Sequence, residues 1–303
     1  MIEALNIVKS AINAKHPIDA LRHLRIVDQR VQASNGTICV DVAIDSELDI
    51  TVPAERFIAA INICNSDAKI TAKNDHLSVS CKNFRTRIPL IENVMYPRLQ
   101  ADGKEYPILA DTLDQFNLLK QFVGDKIEWT KGILLSNEYA YATNTFVMVR
   151  AKMPFNIDVP VVVPVAAFNE LVRIDKNPTS VKISQSSISF LFEDGFLRSQ
   201  LIDAQWPDVV NRFPDFTADA VPEGLAIAVE QLALFTDDMR VEFNSDGIRT
   251  GETVFNFENL PTIAYNIEHL NAVLKIATHI DFTQKASRFK GNNIDGLIAA
   301  VRS

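Results

Sequence analysis

The residues that most often carry out enzyme chemistry are present in this sequence, but they do not stand at catalytic spacings. The five histidines show neither the HxH nor the HExxH spacing of metal sites. No serine lies in a GxSxG motif, and no GxGxxG loop is present to hold a nucleotide. The adjacent carboxylates Asp237 and Asp238 fit a solvated turn better than an acid–base pair. We therefore expect no enzyme, no metal and no cofactor.

The cysteines and the N-terminal residues favour a cytoplasmic protein. Cys39, Cys64 and Cys81 show no CxxC spacing, so we expect three reduced thiols. The first residues, MIEALNIVKSAINAK, have no small-residue cleavage site, so no signal peptide is expected. No apolar run is long enough to span a bilayer. The net charge of −8 argues against a surface that is basic all round, but leaves room for cations on one inner face.

Six amphipathic helices are predicted from apolar residues that recur at helical spacing. The clearest, Ala54–Cys64, follows Pro53 and places Phe57, Ile58 and Ile61 on its apolar stripe. The others begin near residues 2, 111, 164, 225 and 266, and the first is expected to run from 2 to 14.

Strands are predicted between these helices from alternating apolar residues and turn dipeptides. Asn35-Gly36 and Asp246-Gly247 each indicate a hairpin, because these dipeptides suit tight two-residue turns. Short strands are expected at 69–73, 77–81, 84–90, 126–130, 132–136, 139–143 and 145–151.

The same succession of helix, strands and Pro-marked exit occurs more than once. Pro164 follows Pro53 by 111 residues, and Pro207 follows Pro97 by 110 residues. A degraded third copy begins near Tyr265. Repetition at a fixed spacing predicts an α+β protein of three tandem domains, each with two helices covering an antiparallel sheet system. We place the domains at 1–103, 104–216 and 217–303, the third being shortened, in a curved array that can close into a ring.

Three stretches resemble the bacterial DNA sliding clamp, the β subunit of DNA polymerase III. They are VPAERFIAAI with MYPRL in the first copy, VVVPVAAFNELVRI with FLRSQLIDAQWPDVVNRFP in the second, and YNIEHLNAVLKI in the third. The resemblance covers the whole chain in order. It implies three DNA-clamp domains that form half of a ring, and a head-to-tail homodimer that encircles duplex DNA and tethers the replicative polymerase in the cytoplasm at the replication fork.

Two segments depart from the family pattern. Ala142–Met148 reads ATNTFVM where the family has ATDGHRL, and the last residues read AAVRS where it has MPMRL. Both segments line the family's partner pocket, so the partner peptides differ or the pocket is weaker. Such drift fits a phage-encoded or otherwise divergent member. An alternative is a clamp-fold scaffold, or a competitor of a host clamp, that does not encircle DNA.

The resemblance implies cations on the helices that face the DNA, contacting phosphates without reading sequence. Lys15 is the strongest individual candidate, because the family has a basic residue after its first helix. Each cation can also be read as a solvated helix residue. The candidates are Lys9, Lys15, His16, Arg56, Lys120, Arg173, Lys176 and Lys275.

The resemblance also implies a partner pocket between the second and third domains, suited to short peptides with Leu or Phe anchors from the polymerase and clamp loader. Met148 and Pro207 can equally be core and turn residues. The positions carried over are Thr143, Thr145, Met148, Pro207, Asn211, Arg212, Val301 and Arg302.

A ring requires an interface between the first domain of one chain and the third domain of another. The strand 84–90 offers Phe84 and Ile88, and the end of a third-domain helix offers Leu234 and Phe235. An edge strand with exposed apolar side chains would otherwise invite aggregation. The alternative for each of these residues is an ordinary place in the core.

Overall fold

The fold is described from a computed structural model of the chain. The structure describes residues 1–91, 96, 99–208, 213, 216–282 and 285–301. The chain divides into two compact units. Unit 1 comprises Met1–Asp114 and Ala166–Leu201, and unit 2 comprises Gln115–Val165 and Ile202–Ser303. None of the helices in the described ranges is both long and apolar enough to cross a lipid bilayer.

Unit 1 is built on an eight-stranded antiparallel sheet. Its order is β4-β1-β2-β3-β13-β12-β11-β8, so β3 and β13, far apart in sequence, pair at its centre. The strands are β1 (His23–Val27), β2 (Arg30–Ser34), β3 (Ile38–Ala43), β4 (Ile50–Pro53), β8 (Lys104–Pro107), β11 (Ser180–Ile183), β12 (Ser187–Leu191) and β13 (Gly195–Gln200).

A second, three-stranded sheet and three helices complete unit 1. The sheet order is β5-β6-β7, which leaves β7 at an edge. These elements are β5 (Lys69–Ala72), β6 (His76–Cys81), β7 (Phe84–Pro89), α1 (Ile2–Val8), α2 (Ala54–Cys64) and α4 (Val165–Ile174).

Helix α2 has the bounds that its sequence predicts. Phe57, Ile58 and Ile61 are buried, whereas Glu55 and Arg56 are exposed, as the helical spacing of apolar residues requires. Pro53 precedes the first turn, where its missing N–H leaves no hydrogen bond unmade.

Unit 2 is built on a six-stranded and a four-stranded antiparallel sheet. Their orders are β14-β19-β20-β21-β10-β9 and β17-β16-β15-β18. The elements are α3 (Leu113–Leu119), β9 (Gly132–Thr143), β10 (Val147–Pro164), β14 (Asp219–Ala220), α5 (Leu225–Leu232), β15 (Arg240–Asn244), β16 (Gly247–Thr250), β17 (Thr253–Asn256), β18 (Ile263–Asn266), α6 (Ile267–Leu274), β19 (Ala277–Asp281), β20 (Ala286–Gly291) and β21 (Ile294–Ala299).

Three hairpins share the same turn motif. In each, an asparagine side chain accepts hydrogen bonds from the backbone N–H groups two and three residues further on, at 2.8 to 3.1 Å. These asparagines are Asn35, between β2 and β3, Asn144, between β9 and β10, and Asn244, the last residue of β15. Asparagine suits this position because its short amide can bond to the backbone of its own turn. The turn therefore repeats with the predicted three copies.

Several predicted elements differ from the structure. The strands predicted at 132–136 and 139–143 form the single strand β9, and the strand predicted at 145–151 continues to Pro164 as β10. The first helix ends at Val8, because the chain tightens into a 3-10 turn at Lys9–Ala11 and Ile12 is extended. The strand predicted at 126–130 is largely replaced by a 3-10 helix at Glu128–Lys131. Both the backbone N–H and the hydroxyl of Thr130 bond to the Ile127 carbonyl, so these groups are satisfied locally rather than in a sheet.

The prediction of three reduced cysteines is wrong for one pair. Cys64, at the end of α2, forms a disulfide with Cys81, at the end of β6, with 5.3 Å between their Cα atoms. The fold brings the two ends together, although no CxxC spacing marks the pair. Cys39 is buried and free, and burial raises the pKa of its thiol.

The three-domain division stays a prediction. The predicted second domain contributes β8 and β11–β13 to the large sheet of unit 1, and β9 and β10 to that of unit 2. Continuous sheets therefore cross the predicted domain boundaries, and the compact units do not coincide with the repeats.

Candidate functional sites

An aromatic cluster in unit 2 lies beside the β9–β10 hairpin; we call it the slot. Its buried members pack with partly buried neighbours, so aromatic surface lies close to solvent. The buried members are Leu134, Tyr141, Val162, Trp206 and Phe213, and the neighbours are Trp129, Tyr139, Met148, Ile202 and Leu297.

Ring contacts hold the slot together. The ring centres of Trp129 and Trp206 are 5.2 Å apart in an edge-to-face arrangement, and those of Tyr141 and Phe213 are 6.0 Å apart. The indole N–H of Trp206 is buried and has no hydrogen-bond partner among the described residues. A buried donor of this kind costs free energy unless a ligand or water accepts from it.

Arg150 brings a positive charge to the slot. Its guanidinium lies 4.9 Å from the centre of the Tyr139 ring and 4.7 Å from that of Phe213. Its Nη2 also pairs with Asp295 at 3.0 Å, which fixes it in place. Burial raises the pKa of Tyr141, so its phenol stays protonated. The slot thus combines aromatic walls with one anchored cation.

The turn of the β9–β10 hairpin brings three more side chains to this end of the strands, and α6 brings a fourth. The buried hydroxyl of Thr143 donates to the Val147 carbonyl at 2.7 Å. Thr145 has a φ of 78°, a conformation that β-branched residues rarely adopt. Phe146 is 54% exposed and stacks on His269 of α6, with ring centres 5.0 Å apart. Burial lowers the pKa of His269, which disfavours its charged form.

The predicted pocket residues are only partly brought together by the described structure. Thr143 is buried, Met148 packs against the slot, and Thr145, Pro207 and Val301 are exposed. The remaining positions, Asn211, Arg212 and Arg302, lie outside the described residues.

Several slot residues were missed by the sequence reasoning. Tyr139 and Tyr141 stand at alternate positions of one predicted strand, and therefore on one face of it, which is a signal that was available. Trp129 and Arg150 carried no such signal, because their partners come from distant parts of the chain.

Four of the predicted DNA-facing cations are exposed, and they form no ion pair with any described residue. They are Lys9, Lys15, Arg56 and Lys275. Lys120, in the 3-10 turn Lys120–Phe122, is half-buried and also forms no such pair within the described ranges. These five side chains are available to an external anion.

The other three predicted cations are engaged within unit 1. The guanidinium of Arg173 pairs with Glu170 and donates to the carbonyls of Asn6 and Ile7, at 3.1 and 2.5 Å. Lys176 pairs with Asp194 at 2.6 Å. The Nδ1 of His16 accepts from the Ile18 N–H at 3.1 Å.

The four predicted interface residues differ in exposure. Leu234 is 80% and Phe235 62% exposed, just after α5, which is unusual for large apolar side chains. Phe84 is half-buried on the edge strand β7, whereas Ile88 on the same strand is buried within unit 1.

No protein-family model matches this chain, and no curated protein matches its sequence. Its fold does match solved structures of bacterial sliding clamps over almost the whole chain. The Helicobacter pylori β clamp bound to a DNA ligase peptide is 15% identical, with a TM-score of 0.82, covering 99% of this chain and 97% of that one. The Streptococcus pyogenes DNA polymerase β subunit is 20% identical, with a TM-score of 0.79, covering 100% and 97%.

A third match is the DNA polymerase sliding clamp of Bacillus subtilis, 15% identical with a TM-score of 0.81, covering 100% and 97%. The chain therefore has the sliding-clamp fold, with six α-helices and several antiparallel sheets in its described residues. The identities are low, as in a divergent member of this fold.

Proposed function

We propose that this protein is a DNA sliding clamp, which encircles duplex DNA as a homodimeric ring and holds a replicative polymerase on it. The observation that carries the proposal is the fold match, which spans nearly the full length of both chains. The proposed role needs no catalytic group and no cofactor. Its place would be the cytoplasmic replication fork.

The five predicted cations that form no ion pair with a described residue are the proposed DNA contacts. Lysine and arginine side chains that meet phosphates release counterions, so the affinity falls with salt in proportion to the number of phosphates neutralised. Because these side chains carry no base-reading geometry, the binding is expected to be independent of sequence.

A charge-matched pair of variants tests the DNA-binding role of these cations. The first carries Gln in place of Lys9, Lys15, Arg56 and Lys275, and the control carries Gln in place of the exposed Lys69, Lys73, Lys126 and Lys285. Binding to a labelled duplex is measured over a range of salt concentrations. The slope of log K against log salt should become shallower by about 0.9 for each phosphate that the first variant no longer neutralises, and should stay unchanged in the control. Equal slopes in the two variants would contradict the proposed role.

The slot is the proposed site for short linear peptides of the polymerase and clamp loader. Its aromatic walls suit Leu and Phe anchors, and the Trp206 indole N–H, which has no partner among the described residues, can donate to a peptide carbonyl. Two or three such anchors contribute roughly 5–8 kcal/mol before ordering costs, which gives micromolar or weaker affinity. Such affinity suits partners that must exchange. Met148→Glu should abolish binding of immobilised peptides that carry one Leu and one Phe.

The exposed Leu234 and Phe235 are the proposed contact with the edge strand β7 of a second copy. Covering them would bury apolar surface, and an unpaired strand edge offers backbone hydrogen bonds. Light scattering should give twice the 33.8 kDa mass of the chain, and the double variant Leu234→Asp, Phe235→Asp should be a monomer. A monomeric parent protein at high concentration and low salt would favour the alternative, a clamp-fold scaffold or competitor that does not encircle DNA.

A further inference from the structure

The large sheet of unit 1 carries a cavity beside the β2–β3 hairpin, where β3 pairs with β13. Its volume is about 480 Å³. Its wall contains both aliphatic side chains and hydroxyl and amide groups. The lining includes Leu21, Thr37, Ser187, Arg198, Gln200 and Leu201.

This cavity occupies the same place on its sheet as the slot does on the sheet of unit 2. In unit 2, Met148 on β10 pairs with Thr143 on one neighbouring strand, β9, and with Leu297 on the other, β21. In unit 1, Cys39 of the β2–β3 hairpin pairs with Ser34 and with Arg198. The three strands β2, β3 and β13 of unit 1 therefore correspond to β9, β10 and β21 of unit 2. Both hairpin turns begin with the asparagine described above.

The chemistry of the two linings differs. Arg198 of the cavity stands where the slot has the apolar Leu297, and it is the only charged residue among the described residues that line the cavity. Its Nε donates to the Ser187 hydroxyl at 3.1 Å, which orients the guanidinium. The described lining of the cavity includes serine and threonine hydroxyls and contains no aromatic ring. The cavity is therefore built for a more polar, negatively charged occupant.

Arg198 already pairs with a carboxylate, that of Asp102, which does not line the cavity. Asp102 approaches the Arg198 Nη2 at 3.4 Å, and its side chain is 56% exposed, whereas that of Arg198 is 19% exposed. An exposed partner of this kind contributes little, so a ligand carboxylate can replace it at small cost. Arginine prefers such a partner because its planar fork matches a carboxylate.

We propose that the cavity is a second peptide-binding site, which takes a segment with an aliphatic side chain close to an Asp or Glu. The carboxylate pairs with Arg198, and the aliphatic side chain packs on Leu21 and Leu201. The choice of a peptide as occupant rests on the proposed function of the slot. The acidic preference does not, because it follows from Arg198 and the polar lining.

The probe is an array of immobilised hexapeptides in which one Leu stands one, two or three positions from one Glu in a Gly-Ser background. Each Glu peptide is matched by a Gln peptide, and peptides with one Leu and one Phe probe the slot. The full-length protein should bind at least one Glu peptide about tenfold more tightly than its Gln match, as expected for a charge-assisted bond. Arg198→Leu, which copies the slot residue, should abolish that preference.

Two further variants separate the sites. Arg198→Lys keeps the charge and should retain a Glu preference, which guards against misfolding of Arg198→Leu; thermal unfolding of both is compared with that of the parent. Met148→Glu should leave the Glu preference intact while removing the Leu-Phe peptides. Free succinate in excess should not displace the bound peptide, because it lacks the aliphatic anchor.

The outcomes distinguish the two proposals. No Glu preference in the parent protein, or one that persists in Arg198→Leu, overturns the second site. Displacement by succinate would assign the cavity to small acids and overturn the peptide proposal. Failure of the parent to bind the Leu-Phe peptides, with an Arg198-dependent Glu preference, would leave the second site standing and count against the slot.

Discussion

At the scale of single residues, the two equivalent turns both favour glycine at the position that follows the asparagine. Thr145 has a φ of 78°, and Gly36 has a φ of 90° at the same position of the first hairpin. Thr145→Gly should stabilise the protein by about 0.5–1 kcal/mol, because relief of left-handed strain exceeds the entropy cost of glycine. Denaturant unfolding measures this change.

The matched control is Gly36→Ala. A Cβ at this position would meet nothing closer than 3.6 Å, so backbone strain is the whole effect. We expect a loss of about 1 kcal/mol. A stabilising alanine, or a destabilising glycine at 145, would contradict the assigned turn geometry.

Arg173 is expected to stabilise the folded state, because its guanidinium donates hydrogen bonds to backbone carbonyls at the end of α1. Arg173→Ala should lower the free energy of unfolding by about 1 kcal/mol, and Arg173→Lys should restore little, because lysine cannot fork between two carbonyls. Arg56→Ala removes an exposed cation that pairs with no residue in the described part of the chain. It serves as control and should change stability by less than about 0.5 kcal/mol. Equal effects of the two alanines would contradict this division of the cations.

His269 should make the protein sensitive to mild acid. Burial lowers its pKa in the folded state below the ordinary 6.5. Between the folded-state pKa and the unfolded-state pKa of about 6.5, the unfolded chain binds more protons than the folded one. The free energy of unfolding is therefore undiminished above about pH 6.5 and falls as the pH drops from there towards the folded-state pKa. His269→Gln should lose less stability than the parent between pH 7 and pH 5 in thermal unfolding. Parallel losses would contradict the assignment.

Residue roles that depend on distant partners could not be predicted from the sequence. The exposure of Arg56 follows from helix periodicity alone, whereas Lys9 lies in a 3-10 turn and Lys15 lies beyond that turn. The role of Arg173 does not follow from periodicity, because its carbonyl acceptors lie 166 and 167 residues away. The slot aromatics are of the same kind, since their contacts join separate strands and loops.

At the scale of elements, the disulfide between α2 and β6 should be a main stabiliser of its region. It closes a loop of 17 residues, for which chain entropy predicts about 3 kcal/mol. Dithiothreitol should lower the stability of the parent by this order. The Cys64→Ser, Cys81→Ser variant should be less stable and indifferent to the reductant. Three free thiols in the untreated protein, counted by mass spectrometry, would contradict the bond.

Elements with one dominant local signal were predicted well. The helix Ala54–Cys64 has a proline start and an uninterrupted apolar stripe, and the Asn35-Gly36 and Asp246-Gly247 hairpins have strong turn residues. The stretch 126–130 has apolar residues at strand spacing, but hydrogen bonds from Thr130 to Ile127 select a 3-10 turn. Such a choice between local and sheet bonding is not visible in a pattern of apolar residues.

At the scale of the whole molecule, the internal repeat predicted more than any single motif. It indicated an α+β protein in which one succession of helix and strands recurs along the chain, before any tertiary contact was known. It did not indicate the continuous sheets, because pairing of β3 with β13 and of β10 with β21 joins the edges of neighbouring copies. Edge pairing depends on backbone groups, which are the same in every sequence.

The central claim is that a ring of this protein encloses DNA, and retention on circular DNA tests it most directly. The protein is incubated with a nicked circular plasmid, washed at high salt, and passed through a sizing column before and after the plasmid is linearised. The account predicts that protein stays with the circle and is released when the ends are opened, because a topological link resists salt whereas phosphate contacts do not. Equal release from circular and linear DNA would contradict it.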